Sequence, residues 1–193
     1  MIQYMSKASV KPTTMDIVMT VAIAFALGII YMANAVAWGV IESIGGPITP
    51  NIMHPLWYLA GLIPAFIIRK PGIFFIGEFL GCFAELLAGS PAGPTVLLFG
   101  IAQGIAPEAV LAATRYRKWN YAVMGAAMTS AAVISFIMDY YMFALYLAGM
   151  TAVIGMIILR IIAAWIWTAI GIGIAKGVAK TGALSAYPIA KEV

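Results

Sequence analysis

The sequence predicts an all-α membrane protein, a six-transmembrane-helix bundle with both termini on the cytoplasmic side. Two observations carry this. First, 64% of the 193 residues are hydrophobic and only 9% are charged, whereas a soluble domain is usually about 25% charged; a chain this apolar needs lipid as its solvent. Second, the basic residues alternate by region. Lys7 and Lys11, then Arg69 and Lys70, then Arg115, Arg117 and Lys118, then Lys176, Lys180 and Lys191 form four clusters in the regions outside the spans, and these alternate with three connecting regions that contain no Lys or Arg. Ten of the eleven basic residues thus fall on one side of a six-pass topology, and the positive-inside rule makes that side cytoplasmic. The same distribution explains the net charge of +4 and argues against a nucleic-acid partner.

The length allows one integral membrane domain over residues 1–193, with six spans of about 20 residues each. No phosphate-cradling Gly-rich motif is present. No cofactor is expected, and any ATP would be used by partner subunits. Cys82 and His54 are the single cysteine and histidine, too few to build a metal site or a disulfide.

The first apolar segment runs over residues 16–41, with Asp16 as a candidate cap and Gly45-Gly46-Pro47 closing it. The retained apolar run shows no small-residue cleavage site and reads as a first helix, not a signal peptide. The second segment, residues 56–68, contains Pro64 and is about 20 Å long, so it needs extension into the preceding Gly/Pro-rich loop. The third to sixth segments cover residues 71–87, 95–114, 121–137 and 151–175. No heptads, low-complexity tract or inverted repeat appears.

Five carboxylates lie inside or at the edge of these segments: Glu42, Glu78, Glu85, Glu108 and Asp139. A charge near the bilayer centre costs about 2.5–3.5 kcal/mol even on an insertion scale, so each needs a counter-charge, a structural partner or water. Arg160, near the middle of the sixth helix, is expected to form a structural ion pair with Glu108 or Glu78, which lie at matching depth. Glu78 and Glu85 are seven residues apart and share one helix face; Glu78 is balanced between structure and site. Glu85, Asp139 and Glu42 lie towards the outside, either as solvated helix-end groups or as ligands for a cationic or amidine-like group. Trp38, Trp57, Tyr58, Tyr140, Tyr141 and Tyr146 also gather outside, as an interfacial belt or as stacking partners for a flat cation. Asn34 and Gln103 could add directional hydrogen bonds, to a ligand or to neighbouring helices. His54, beside Pro55 in an outer loop, is expected to be plain loop. Ala22 and Ala26, like Ala33 and Ala37, sit at a small-x-x-x-small spacing that lets membrane helices approach closely, within the bundle or against another subunit. No serine has a visible His–Asp arrangement and no His-Glu-x-x-His motif occurs, so an enzyme is not expected.

The run Arg69-Lys70-Pro71-Gly72, Gly77-Glu78, Glu85, Gly89-Ser90-Pro91-Ala92-Gly93-Pro94, Gly100-Ile101-Ala102-Gln103-Gly104 and Glu108 resembles the YkoE family. These are substrate-binding S components of energy-coupling factor (ECF) transporters, linked to thiamin and its hydroxymethylpyrimidine precursor. The resemblance implies a six-helix S component in the bacterial cell membrane, capturing thiamin at the outer face. It implies a transmembrane coupling protein and two ATPase domains as partners, with the Ala22/Ala26 face touching the coupling protein. Thiamin joins a thiazolium cation to an aminopyrimidine, so Glu85 could accept from the aminopyrimidine edge and Asp139 or Glu42 could balance the thiazolium. The alternatives are an S component for hydroxymethylpyrimidine or a related pyrimidine, and a stand-alone proton-coupled carrier using Glu78, Glu108 and Arg160.

Overall fold

A computed structural model of the chain describes residues 11–193; Lys7, the first of the basic markers, lies outside them. Six α-helices follow in order: α1 (Thr14–Gly45), α2 (Leu59–Ile68), α3 (Ile73–Leu87), α4 (Thr95–Ala113), α5 (Tyr121–Met142) and α6 (Met150–Lys180). Short 3-10 turns cover Thr49–Ile52, His54–Tyr58, Leu145–Ala148 and Pro188–Glu192.

α1 starts at a capping box. The Thr13 hydroxyl accepts from the Asp16 N–H at 3.3 Å, and the Asp16 carboxylate accepts from the Thr13 N–H at 2.6 Å. Two orphan donors of the first turn are thereby satisfied. With 32 residues, α1 is about 48 Å long at 1.5 Å per residue. It crosses about 30 Å of hydrocarbon with turns to spare, which carries Glu42 clear of the membrane interior.

The short second segment gains the extension it needed. The two 3-10 turns place Pro50 and Pro55 at their second positions, within the first turn, where the missing N–H has no intrahelical partner to lose. Together with α2 they make a 20-residue apolar stretch, Thr49–Ile68. Every residue of α2 is buried, which explains a sequence without a polar face: this helix is the centre of the bundle. It contacts α1, α3, α5 and α6, while α3 joins α1 to α4, and α5 joins α4 to α6. Close approach of α2 and α3 depends on Gly77 and Gly81, where an added Cβ would collide with Ala60. α3 has 15 residues, about 22 Å, and is the short member of the bundle.

Glu108 is not paired with Arg160 as expected. α3 begins at Gly72, which has no side chain to cap the helix. Glu108 reaches across from α4 and accepts from the Gly72 N–H at 2.6 Å and the Phe75 N–H at 3.3 Å. Its negative charge therefore meets the positive end of the α3 dipole, and no arginine is needed.

Two ion pairs gather the chain's ends. Lys70 Nζ meets Asp16 Oδ2 at 2.7 Å, and Arg69 Nη1 meets Glu192 Oε1 at 2.6 Å. The start of α1, the α2–α3 turn and the C-terminal turn therefore share one end of the bundle, as an even number of spans requires.

Candidate functional site

At the opposite end the helices open around a cavity of about 540 Å³. The upper part of α1 contributes Ala35, Trp38 and Glu42, and the two 3-10 turns before α2 contribute Asn51, His54 and Trp57. Cys82 and Glu85 come from α3, and Phe99 and Gln103 from α4. Asp139 comes from α5 and Arg160 from α6, and Phe143 and Leu145 close the rim.

One wall is aromatic. The Trp38, His54 and Trp57 rings have centroids 5.7, 5.7 and 5.2 Å apart. Across the cavity Phe99 and Phe143 stack at 6.1 Å with an interplanar angle of 12°. Such faces suit a flat ligand, and a cationic one best.

Glu85 sits where this wall meets the end of α3. The chain leaves α3 at Leu87 and turns at Gly89, whose φ of +92° a side chain would disfavour. The turn brings Ser90 back, and its hydroxyl donates to Glu85 Oε1 at 2.8 Å. Trp57 Nε1 donates to Glu85 Oε2 at 3.1 Å. The carboxylate is 1% exposed and has no Lys or Arg partner among the described residues.

Arg160 and Asp139 form the other polar centre. Arg160 Nη1 bonds Asp139 Oδ2 at 2.6 Å, and Arg160 Nε donates to Asn51 Oδ1 at 2.9 Å. His54 Nε2 lies 3.3 Å from the same Asp139 oxygen. His54 Nδ1 meets the Tyr58 hydroxyl at 2.7 Å, which meets Ser135 Oγ at 2.7 Å. Ser135 Oγ in turn accepts from Arg160 Nη1 at 3.4 Å, closing a ring of five side chains from three elements. Arg160 is 1% exposed, so a counter-charge is required, and Asp139 is that counter-charge.

The charge balance of the cavity follows. Among the described residues Arg160 is the only lysine or arginine in its wall, and Asp139 cancels it. Glu85 and the exposed Glu42 remain, both without a cation partner among the described residues. The formal charge of the cavity wall is therefore negative.

The structure brings together Glu42, Glu85, Asp139, Gln103, Trp38 and Trp57 of the residues singled out from sequence. Five others lie outside the cavity wall. Glu78 is fully buried beneath it, accepting from the Tyr31 hydroxyl at 3.2 Å and the Cys82 thiol at 3.8 Å. Tyr58 is fully buried and supports His54. Asn34 is buried with neither amide atom partnered. Tyr140 packs on Tyr141 and Tyr146, and Tyr141 is 74% exposed. The expected Arg160 pairing with Glu108 or Glu78 is replaced by Asp139, because the cap at α3 occupies Glu108 and a tyrosine and a thiol occupy Glu78. His54, expected to be plain loop, is a cavity residue. Asn51, Phe99, Phe143, Ser90 and Ser135 were also missed. Ala22 and Ala26 are exposed on the outer face of α1.

No three His, Cys, Asp or Glu side chains converge as a metal site among the described residues.

Residues 15–137 match the family described as the permease component of an ABC-type cobalt transport system. The "Putative HMP/thiamine permease protein YkoE" of Bacillus subtilis (strain 168) is 30% identical over 181 residues, covering 92% of this chain and 90% of that protein. A crystal structure of an S component of an ECF transporter superposes with a TM-score of 0.90 at 28% identity, over 94% of this chain and 93% of that one. The chain is thus a multi-pass bacterial membrane protein that belongs to this permease family, as a YkoE-like S component of an energy-coupling factor transporter.

Proposed function

We propose that this S component captures thiamin at the outer face and passes it inward when a coupling protein and two ATPase domains drive it. The observation that carries this reading is the charge balance. Two carboxylates without a cation, Glu85 and Glu42, share a cavity with the Trp38–His54–Trp57 wall. A thiazolium would supply the missing positive charge, and both thiamin rings have faces to stack on. Hydroxymethylpyrimidine fits the aromatic wall but brings no permanent charge, so it makes the weaker complement. A bare cobalt ion would need several converging donors, and no such group is present among the described residues. The proton-relay alternative loses its support, since Glu78, Glu108 and Arg160 each bond elsewhere.

Calorimetry on the purified chain tests the proposal. Thiamin is expected to bind with one site per chain and to displace hydroxymethylpyrimidine; absence of heat at micromolar thiamin contradicts it. In proteoliposomes the chain alone is expected to give negligible uptake under a pH gradient.

A further inference from the structure

Gln103 differs from the other buried polar groups in the cavity wall. It is 3% exposed and lines the cavity, yet its carboxamide makes no hydrogen bond with any group among the described residues. Glu85 is held by Trp57 and Ser90, and Asp139 and Asn51 are held by Arg160. The Gln103 amide atoms are not among the sealed, unpartnered polar atoms of the bundle, so they open onto the cavity, where an occupant can bond them. Gln103 also lies deep, eight residues past the first residue of α4 at Thr95, about 12 Å along the helix axis. It shares the wall there with apolar or weakly polar groups such as Cys82 and Met156.

A carboxamide presents an acceptor beside a donor. That pair complements a ring nitrogen flanked by an amino group, the way Asn and Gln bond the adenine edge. An amide held by second-shell bonds shows one order of donor and acceptor. Gln103 has no such bonds, so a half-turn of its terminal torsion exchanges oxygen and nitrogen. In the exchanged order it complements a lactam edge, a ring N–H flanked by a carbonyl.

We infer that Gln103 reads the pyrimidine edge of the ligand through a two-point hydrogen bond in either order, so that the cavity accepts 4-oxo as well as 4-amino pyrimidines joined to the same cationic ring. The inference rests on the thiamin reading above. Its consequence is a specificity set by ligand charge and by the presence of a hydrogen-bonding edge, and indifferent to the polarity of that edge. Sites built to bond a fixed polar edge reject the wrong analogue far more strongly.

The test is calorimetry on the purified full-length chain with three ligands: thiamin, its 4-oxo analogue, and its 4-deamino analogue with hydrogen in place of the amino group. Thiamin and the 4-oxo analogue are expected to bind within tenfold of each other, and the deamino analogue at least tenfold more weakly than both. In Q103M the three affinities are expected to converge within a few-fold. A 4-oxo affinity more than tenfold below thiamin overturns the inference, as does a deamino affinity within tenfold of thiamin or an unchanged spread in Q103M. The wild-type comparison stands on its own if the variant fails to fold. If thiamin binds but the expected pattern is absent, this inference falls alone; if thiamin does not bind, the proposed function falls with it.

Discussion

At the scale of single residues, Arg160 decides what the cavity can hold. Left free, its guanidinium would neutralise the glutamates and favour anions. Held by Asp139 at 2.6 Å and by Asn51 at 2.9 Å, it leaves them available. Asp139→Asn is therefore expected to lower thiamin affinity and to destabilise the fold by about 3–5 kcal/mol, because a buried charge loses its partner. Thermal unfolding and calorimetry read the two effects, and Asp139→Asn with Arg160→Met should recover stability. The sequence marked Asp139, Glu42, Glu85, Gln103, Trp38 and Trp57 because polar and aromatic groups near an apolar span stand out by cost. It could not say which carboxylate meets Arg160. Spacing put Asp139 outside and Arg160 at mid-helix, a difference of depth that argued against their pairing; the long Arg160 side chain, from a different helix, reaches Asp139 all the same. His54, expected to be plain loop, was misjudged for a related reason. A lone histidine beside a proline reads as loop until the Thr49–Ile68 stretch is known to fold inward.

At the scale of elements, cross-helix capping replaces local capping at α3. The Gly72 start carries no cap of its own, and Glu108 fills the place. Glu108→Ala is expected to cost about 1–2 kcal/mol and to raise hydrogen exchange at the first turn of α3, with thiamin affinity nearly unchanged; unaltered exchange would refute the capping role. On α1, Ala22 and Ala26 are exposed, which keeps the small-residue face open to a partner helix. Ala26→Leu is expected to weaken assembly with the coupling protein in a pull-down and to spare ligand affinity; lost binding with intact assembly would contradict it. Six helices and their order were legible from hydropathy and basic clusters. The 3-10 extension before α2 was legible only as a need, since a 13-residue segment at residues 56–68 is too short to span and the Pro-rich loop hid the two turns that complete it.

At the scale of the whole molecule, the two ends have different tasks. The end that holds Asp16, Lys70, Arg69 and Glu192 ties the termini to the bundle. The Arg69 hydrogen bond holds the Glu192 carboxyl below its ordinary value of 4.5. Because the docked state lowers this pKa, its stabilisation is present above about 4.5 and is lost as pH falls through the docked value. The protection of the Ile189–Glu192 amides, corrected for the intrinsic pH dependence of exchange, is expected to fall on acidification, and unchanged protection between pH 6 and pH 3 would refute the tie. The other end holds the negative cavity, and the central claim is that Glu85 and Glu42 serve a cationic vitamin. The most direct measurement is calorimetry of thiamin and hydroxymethylpyrimidine on wild type and on Glu42→Gln with Glu85→Gln. Thiamin affinity is expected to fall at least tenfold in the double variant and hydroxymethylpyrimidine affinity to change much less. Equal losses for both ligands, or an unchanged thiamin affinity, would contradict the account.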